Sequence, residues 1–366
     1  MKFVEMPELG EHATFVPNKK LPIYRWFYYK EGFSRDLIFY IIDRFEIKGK
    51  NVLTPQASVP LVLDPFCGSG TTLLACKEKG INSAGFDTSE LAAFASNVKT
   101  QDYDPQELKE VSRELFGKKF QPIVMKDTIS LMKRAFSKYA LDDIVFFKNK
   151  IRELDNRNFF LLALINAAMK VSYAWKDGGV IKIKKHPAPP LRIFYKRIVK
   201  NMIKDINGVQ KTGAQCTVDV GDARRLRVED SSIDAVITSP PYLNNIDYTK
   251  VYAIEEWIAN LHDNPPVRSY IGYGKPNTTD AYFEDMNDAL LEMFRVLKQN
   301  GRAFIVIGNA YVNGEIINSD EILAQMAEKI GFSVKEIAVL NKRFALEQRT
   351  QKKGILRESM VVLEKG

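Results

Sequence analysis

A glycine-rich turn at residues 64–72, which read DPFCGSGTT, constrains the fold of this chain more than any other feature. It follows an apolar run at 59–63 and precedes a helical pattern over 71–79, which Gly80 ends. The next strand is predicted at 83–86, with Asp87 directly after it, and a second helix at 89–100. Strand, turn, helix and strand in this order predict the beginning of a doubly wound α/β sheet.

The same alternation of strands and helices resumes after residue 215. Strands are predicted at 217–220, 233–237, 303–307, 333–339 and 360–363, and helices at 286–297, closed by Gly301, and at 320–329. Between the two parts, residues 101–214 favour helices at 106–116 and 156–173. We therefore predict a Rossmann-like α/β catalytic domain formed by 1–100 and 215–366, with a mainly helical insertion at 101–214.

The turn at 64–72 suits an adenosine-containing cofactor, because its glycines let the backbone approach a ligand and the helix that follows offers free N–H groups. A dinucleotide would require a third glycine where the chain has Leu73. The phosphate-free cofactor S-adenosylmethionine is therefore favoured. Asp64 would face its cationic amine, Asp87 its ribose hydroxyls and Asp222 its adenine amino group. For Asp222 the alternative role of a helix N-cap stays open.

A second motif, Thr238-Ser239-Pro240-Pro241-Tyr242, follows the strand predicted at 233–237. Open sheets place their active sites at this end of a strand. The prolines carry no N–H, so their carbonyls would be free acceptors, and the Ser239 hydroxyl adds another. Two acceptors suit a substrate amino group, while Tyr242 offers a face on which a planar base can stack. The pattern predicts direct methyl displacement with no covalent intermediate.

Together the two motifs resemble those of the amino-group DNA methyltransferases, over residues 18–100 and 215–310. The SPPY form resembles the cytosine-N4 branch, whereas the adenine-N6 branch more often has an acid at the position of Ser239. Residues 18–34 resemble the N-terminal motif that closes over the methionine end of the cofactor. The resemblance implies a catalytic role for Ser239, Pro240, Pro241 and Tyr242. It also implies cofactor contacts for Phe33, Ser34, Asp64, Phe66, Gly68, Gly70, Thr71, Asp87, Asp222 and Ala223.

The charge of the chain is compatible with duplex DNA as partner, since 53 Lys and Arg face 45 Asp and Glu, a net charge of +8. The insertion carries a basic, proline-rich stretch followed by a basic helix. We expect phosphate contacts from Lys182, Lys184, Lys185, Arg192 and Lys196. A second basic run, at 342–353, is equally consistent with a solvated face. The insertion is predicted to be the target-recognition region, with a structural cap as the alternative.

Three other functions compete with DNA cytosine-N4 methylation. The hydrogen-bond acceptors of the second motif would suit the N6 amino group of adenine equally well. A tRNA amino-methyltransferase could use similar motifs, although it would usually carry an RNA-binding domain upstream. A cofactor-sensing DNA-binding subunit would bind without transfer. Cytosine-C5 chemistry is disfavoured, because none of the three cysteines follows a proline.

Composition excludes several other classes of protein. With 3 Cys and 3 His, and no paired ligand spacing, neither a disulfide framework nor a metal site is expected. No signal peptide or membrane span is predicted, so the expected location is the cytoplasm. A restriction endonuclease is the expected cognate partner. The sequence sets no oligomeric state and no recognition sequence.

Overall fold

The computed structural model describes residues 2–29, 32–47, 61–121, 129–177, 179–209, 211–243, 248–261, 278–347 and 351–366. Its strands are β1 (Phe3–Glu5), β2 (Leu61–Asp64), β3 (Asn82–Asp87), β4 (Ala174–Asp177), β5 (Val180–Ile183), β6 (Cys216–Val220), β7 (Ile233–Thr238), β8 (Leu297–Gly308), β9 (Ala310–Val312), β10 (Glu315–Ile317), β11 (Phe332–Glu347) and β12 (Gln351–Lys365). Three short 3-10 helices, Pro7–Ala13, Pro17–Lys20 and Tyr24–Trp26, lie near the N-terminus.

The α-helices surround the main sheet and build the insertion. They are α1 (Arg35–Arg44), α2 (Thr71–Glu78), α3 (Glu90–Thr100), α4 (Pro105–Gly117), α5 (Ser130–Ala135), α6 (Lys138–Ile151), α7 (Arg157–Val171), α8 (Leu191–Asn207), α9 (Tyr248–Ala259), α10 (Thr278–Val296) and α11 (Ser319–Ile330). Local signals set several boundaries. The Ser89 hydroxyl accepts from the Ala92 amide at the start of α3, and Gly80 has a φ of +71° just beyond α2.

The main sheet has the strand order β1-β11-β12-β8-β7-β2-β3-β6. Its central pairs, β8–β7, β7–β2, β2–β3 and β3–β6, are parallel, and β12 runs antiparallel to both β8 and β11. The order reverses at β2, which lies between β3 and β7. The predicted doubly wound, Rossmann-like α/β fold is therefore confirmed, and the C-terminal ends of β2 and β7 meet at one edge.

The insertion shares its core with the elements around it. One buried cluster joins Trp26 and Phe27 of the N-terminal segment, Leu91 of α3, Phe159 of α7 and Trp257 of α9. The side chain of Lys148, on α6, lies over the Trp257 ring at 4.1 Å and donates to the Trp257 carbonyl at 2.7 Å. The insertion is thus packed continuously against the sheet side, and its boundaries at 101 and 214 stay a prediction. Within the described part of the chain, no helix is long and apolar enough to cross a membrane.

Several predicted elements differ from the structure in their bounds, and the strands predicted at 303–307 and 333–339 are the longer β8 and β11. The helix predicted at 286–297 ends at Val296, and Gly301 lies inside β8 instead of ending the helix. A Cβ at Gly301 would lie 2.8 Å from the Lys298 carbonyl oxygen, so close backbone approach explains this glycine. The last strand, predicted at 360–363, is the much longer β12, which pairs with β11 as a hairpin.

Candidate active site

The two sequence motifs meet because their strands are neighbours. β2 and β7 pair in parallel, with Val62 opposite Ala235 and Leu63 opposite Val236. Both strands end at the same edge, where the Thr238 hydroxyl donates to Asp64 Oδ1 at 2.6 Å. Thr238 directly precedes Ser239, so this bond joins the cofactor turn to the catalytic motif.

Two glycines shape the turn after β2 for different reasons. Gly68 has a φ of +50°, and its amide donates to Asp87 Oδ2 at 2.9 Å, which ties the turn to the end of β3. Gly70 has a φ of +78°, and a Cβ there would lie 2.2 Å from the Ser96 hydroxyl of α3. Gly70 is therefore required for packing and for the left-handed start of α2.

A cavity lies above this edge and contains most of the predicted site residues. Of the predicted cofactor contacts, it is lined by Phe33, Asp64, Phe66, Gly68, Thr71, Asp87, Asp222 and Ala223, and all four of Ser239, Pro240, Pro241 and Tyr242 line it as well. Ser34 and Gly70 are not among the lining residues. The Ser34 side chain is buried at the start of α1, and its hydroxyl has no hydrogen-bond partner among the described residues.

Among the described residues, the cavity is lined by acids and by no lysine or arginine. Burial raises the pKa of Asp64 to about 6, against the opposing effect of its bonds to the Thr238 and Thr72 hydroxyls and the Phe66 amide. Burial likewise raises the pKa of Asp87 to about 6, although its carboxylate accepts from the Ser89 and Gly68 amides. Two buried carboxyl groups without a cation of their own favour a positively charged ligand.

Asp222 is partly engaged within the protein. Its carboxylate accepts from the Arg224 amide at 3.0 Å and forms an ion pair with the Arg224 side chain at 2.7 Å. Arg224 also pairs with Asp285 of α10 at 2.9 Å. Residues 223–225 form a turn, so the alternative role of Asp222 as a helix N-cap is wrong. Asp222 therefore lines the cavity with a carboxylate whose orientation is held by Arg224.

The catalytic motif departs from its predicted geometry at one carbonyl. The buried Tyr282 donates its hydroxyl to the Pro241 carbonyl at 2.9 Å, so the prediction that both proline carbonyls are free is wrong for Pro241. A buried tyrosine hydroxyl needs a partner, and this carbonyl supplies it. No donor from the described residues contacts the Pro240 carbonyl or the Ser239 hydroxyl. Asn244, Asn245 and Tyr248 follow the motif in sequence and could also support a target base; both asparagines and the side chain of Tyr248 lie outside the described residues.

Tyr242 is held by two strands that lie far from it in sequence. Its hydroxyl donates to Glu358 Oε1 at 2.8 Å. A Cβ at Gly308 would lie 2.9 Å from the Tyr242 ring, and Gly308 pairs directly with Glu358 between β8 and β12. The Tyr242 ring therefore packs against β8 and β12 at the position where Gly308 lies opposite Glu358. Gly308 and Glu358 were not predicted from the sequence, since neither belongs to a local motif.

The N-terminal segment closes one side of the cavity. Phe15, Tyr29 and Gly32 line it together with Phe33. Asn18, fully buried, donates to the Phe33 carbonyl at 3.1 Å and accepts from the Arg35 amide at 2.9 Å. The stretch at 18–34 is thus fixed over the cofactor turn, except for residues 30 and 31, which lie outside the described residues.

A buried lysine connects this segment to the turn. Lys99, on α3, donates to the Phe27 carbonyl at 3.1 Å and to the Ser69 carbonyl at 3.0 Å. Burial lowers the pKa of Lys99 to about 7. Sequence analysis missed this residue because a single lysine in a helix resembles any exposed one.

The predicted DNA contacts divide into two groups. Arg192 pairs with Asp143 at 3.0 Å and lies over the Phe146 ring at 5.5 Å, while Lys182 pairs with Asp177 across the β4–β5 hairpin. These two cations are satisfied within the protein. Lys184, Lys185 and Lys196 are exposed.

Cys67 is unsuited to nucleophilic chemistry. It is 5% exposed, and burial raises the pKa of its thiol well above the ordinary value, with Asp87 and Asp64 adding to the effect. Among the described residues, no group of three or more His, Cys, Asp or Glu side chains is placed to hold a metal ion.

A family model described as DNA methylase, of the N6 and N4 type, matches residues 17–96 and 233–366, which is more than half of the chain. The chain belongs to this family. The matched ranges include the N-terminal segment, the cofactor turn and the SPPY motif. The family resemblance predicted from the sequence is therefore confirmed, and the chain is an S-adenosylmethionine-dependent DNA amino-methyltransferase.

Two curated relatives are similar along most of their length. Type II methyltransferase M.BsoBI from Geobacillus stearothermophilus is 25% identical over 96% of this chain and 87% of its own. Type II methyltransferase M.AvaI from Nostoc sp. is 25% identical over 90% of this chain and 83% of its own. A solved S-adenosylmethionine-dependent methyltransferase from Methanosarcina mazei shares 12% identity, with 87% of this chain and 98% of that chain covered, at a TM-score of 0.34.

The lining residues fit the cofactor. When bound, S-adenosylmethionine supplies a methyl group made electrophilic by a cationic sulfonium. The acid-lined cavity would hold a cation. Gly68 also lines it, and a Cβ at this position would lie 3.2 Å from the Tyr29 ring, so a side chain would crowd that ring. Asp64, Asp87 and Asp222 offer acceptors to the cofactor, and Ser239 and Pro240 line the same cavity.

Proposed function

We propose that this DNA amino-methyltransferase modifies the N4 amino group of cytosine, at a specific site in duplex DNA, as the methyltransferase of a Type II restriction–modification system. The observation that carries the proposal is the placement of Ser239 and Pro240 on the cofactor cavity, joined to Asp64 through the Thr238 hydroxyl at 2.6 Å. The names of the two curated relatives support the Type II system. The serine at position 239 supports cytosine through the resemblance of SPPY to the N4 branch.

The residues of the motif have different roles in methyl transfer. The Ser239 hydroxyl and the Pro240 carbonyl accept the two hydrogens of the substrate amine and so orient the nitrogen lone pair toward the cavity. Tyr242, fixed by Glu358, supports the face of the base. Oriented acceptors stabilise the partial positive charge that develops on the nitrogen during displacement. A base within a duplex must leave the stack to reach these groups.

The insertion is proposed to contribute to target recognition. It supplies the exposed Lys184, Lys185 and Lys196, and none of its described residues lines the cofactor cavity. A cognate endonuclease would recognise the same DNA sequence.

The base is identified by nucleoside analysis after transfer. Purified protein, labelled S-adenosylmethionine and duplex DNA of mixed sequence should give N4-methylcytosine. N6-methyladenine alone would overturn the cytosine assignment and keep the amino-methyltransferase class. Transfer to tRNA with none to DNA, or cofactor binding with no transfer to any nucleic acid, would overturn the DNA substrate.

Two variants test the assigned roles. Ser239→Ala should lower kcat about 100-fold, because one of two acceptors is lost while the cofactor residues are untouched. Ser231→Ala, at an exposed serine in the same β6–β7 region, is the matched control and should retain full activity. An unchanged kcat for Ser239→Ala, measured with saturating cofactor and DNA, would refute the role of its hydroxyl.

A further inference from the structure

Charge is segregated around the active site. The cofactor cavity is lined by Asp64, Asp87 and Asp222, and none of its lining residues in the described part of the chain is a lysine or an arginine. Such a cavity attracts a cation and repels phosphate. The phosphates of a DNA substrate therefore require a different surface close to the catalytic motif.

Two further cavities extend from this site. The first, of about 240 Å³, shares Phe15, Gly32 and Tyr242 with the cofactor cavity, so it begins at the catalytic tyrosine. The second, of about 550 Å³, shares Phe15 and Tyr28 with the first. The two rings meet edge to face at 5.3 Å and form a ridge between the cavities, with Tyr28 48% exposed. We call the two cavities together the basic groove.

Among the described residues that line the basic groove, cations outnumber acids. The cations are Lys19, Arg25, Lys170, Arg343 and Arg357, and the acids are Asp205 and Glu358. Both acids are engaged: Asp205 binds the Arg25 guanidinium and the Trp26 indole N–H, and Glu358 accepts from Tyr242. The groove is therefore positive where it faces solvent.

Three of these cations are exposed and have no ion pair among the described residues: Lys19, Lys170 and Arg343. They come from the N-terminal segment, from the last turn of α7, and from the part of β11 that continues past its pairing with β1. Lys19 also lies over the exposed Tyr28 ring at 4.7 Å. Three distant segments thus place free positive charge along one path.

We propose that the sugar–phosphate backbone of the DNA substrate lies along the basic groove. Lys19, Lys170 and Arg343 contact phosphates, and the Tyr28 ring supports a nucleobase next to the target base. The proposal rests on DNA as the substrate. It adds a phosphate contact separate from the basic stretch at 182–185, where Lys182 is already paired within the protein while Lys184 and Lys185 are exposed. The insertion still contributes, through Lys170 and the α8 face that lines the groove.

Salt dependence of DNA binding tests the proposal. Binding of the whole protein to a fluorescent 30-base-pair duplex is measured by anisotropy over a range of KCl concentrations. Each of Lys19→Ala, Lys170→Ala and Arg343→Ala should lower the slope of log Kd against log salt by about 0.9, and the triple variant by about three times that. Cofactor affinity should not change, because none of the three lines the cofactor cavity. Tyr28→Ala should weaken binding about tenfold, and Tyr28→Phe should retain it.

Lys329→Ala is the matched control. Lys329 is an exposed lysine at the C-terminal end of α11, which leads to the start of β11 at the edge of the sheet opposite the active site. It should keep the wild-type slope. A wild-type slope in the folded triple variant would overturn the proposal that the DNA backbone lies along the basic groove. The result would be most direct if the double variant Lys184→Ala, Lys185→Ala lowered the slope instead. A wild-type protein that transfers no methyl to DNA would overturn the proposed function, and the two failures are thus distinct.

Discussion

Two buried carboxyl groups give the cofactor cavity its electrostatic character at the scale of single residues. Because burial raises the pKa of both Asp64 and Asp87 to about 6, the folded apoprotein binds more protons than the unfolded chain between about pH 4 and pH 6. The contribution of these groups to stability therefore falls as pH rises through this window. A bound cation reverses the effect, since it favours the ionised carboxylates.

Cofactor affinity should consequently depend on pH. We expect the Kd for S-adenosylmethionine to be constant near pH 8 and to rise below about pH 6, by up to about tenfold per pH unit for each carboxylate that must be ionised. Titration calorimetry between pH 8 and pH 5 measures it. Asp64→Asn should bind more weakly at pH 8 and show a shallower dependence. A Kd that is flat from pH 8 to pH 5 would contradict the role of these acids.

The contact between Tyr242 and Glu358 makes a second prediction at this scale. Glu358→Ala should lower kcat about tenfold, because the Tyr242 hydroxyl loses its acceptor, while the cofactor Kd stays unchanged. Glu358→Gln retains an acceptor and should stay close to wild type. Tyr242→Phe combined with Glu358→Ala should be no worse than the more impaired single variant. Additive losses in this double-mutant cycle would show that Glu358 acts independently of the tyrosine.

At the scale of elements, α3 joins the N-terminal segment to the cofactor turn through Lys99. The folded-state pKa of about 7 lies far below the ordinary value of 10.5, so the unfolded chain binds more protons between these two values. Stability attributable to Lys99 therefore rises with pH across this window and is lost as pH falls toward 7.

A comparison with Lys99→Met measures this effect. Between pH 7 and pH 9.5 the wild type should gain stability relative to the variant, by at most about 1.4 kcal/mol per pH unit. Urea unfolding at several pH values gives the difference. Lys109→Met, at an exposed position of α4, should show no such trend. A constant difference between wild type and Lys99→Met would mean that the buried amine stays protonated.

The elements predicted well from the sequence are those with local signals. The segments from β2 to α3 agree with the prediction to within one or two residues, because glycine, serine and apolar spacing fix each boundary locally. The start of β8 was missed because Leu297 continues the helical spacing of α10, while its pairing with Ile233 across the sheet draws it into a strand. The length of β12 depends on pairing with β11, and no local pattern encodes that.

The residues of the site show the same difference between local and long-range signals. The acids of the cofactor turn and the SPPY motif lie in continuous stretches and were found from the sequence. Glu358 and Gly308 were not, because they act through a contact between strands far apart in the chain. Arg192 was assigned to DNA by its charge, yet folding pairs it with Asp143. Sequence shows which charges exist, and only the tertiary structure shows which remain available.

At the scale of the whole molecule, the shared core predicts a single unfolding unit. Phe159, fully buried in the insertion, contacts the Trp26 ring edge to face at 5.5 Å. Phe159→Ala should destabilise the protein by about 3–5 kcal/mol. Thermal unfolding followed by tryptophan fluorescence and by far-ultraviolet circular dichroism should shift together. Two separate transitions, only one of them moved by the substitution, would show that the insertion unfolds independently.

The described residues of 101–214 do not line the cofactor cavity, and this has an evolutionary consequence. Substitutions on the outer surface of the insertion change the surface that the enzyme offers to its DNA substrate. The groups that hold the cofactor and the substrate amine stay in place. The inner surface has no such freedom, because it completes the core around Trp26 and Trp257. Divergence in sequence preference should therefore accumulate on one side of these helices only, as new specificities arise around an unchanged reaction.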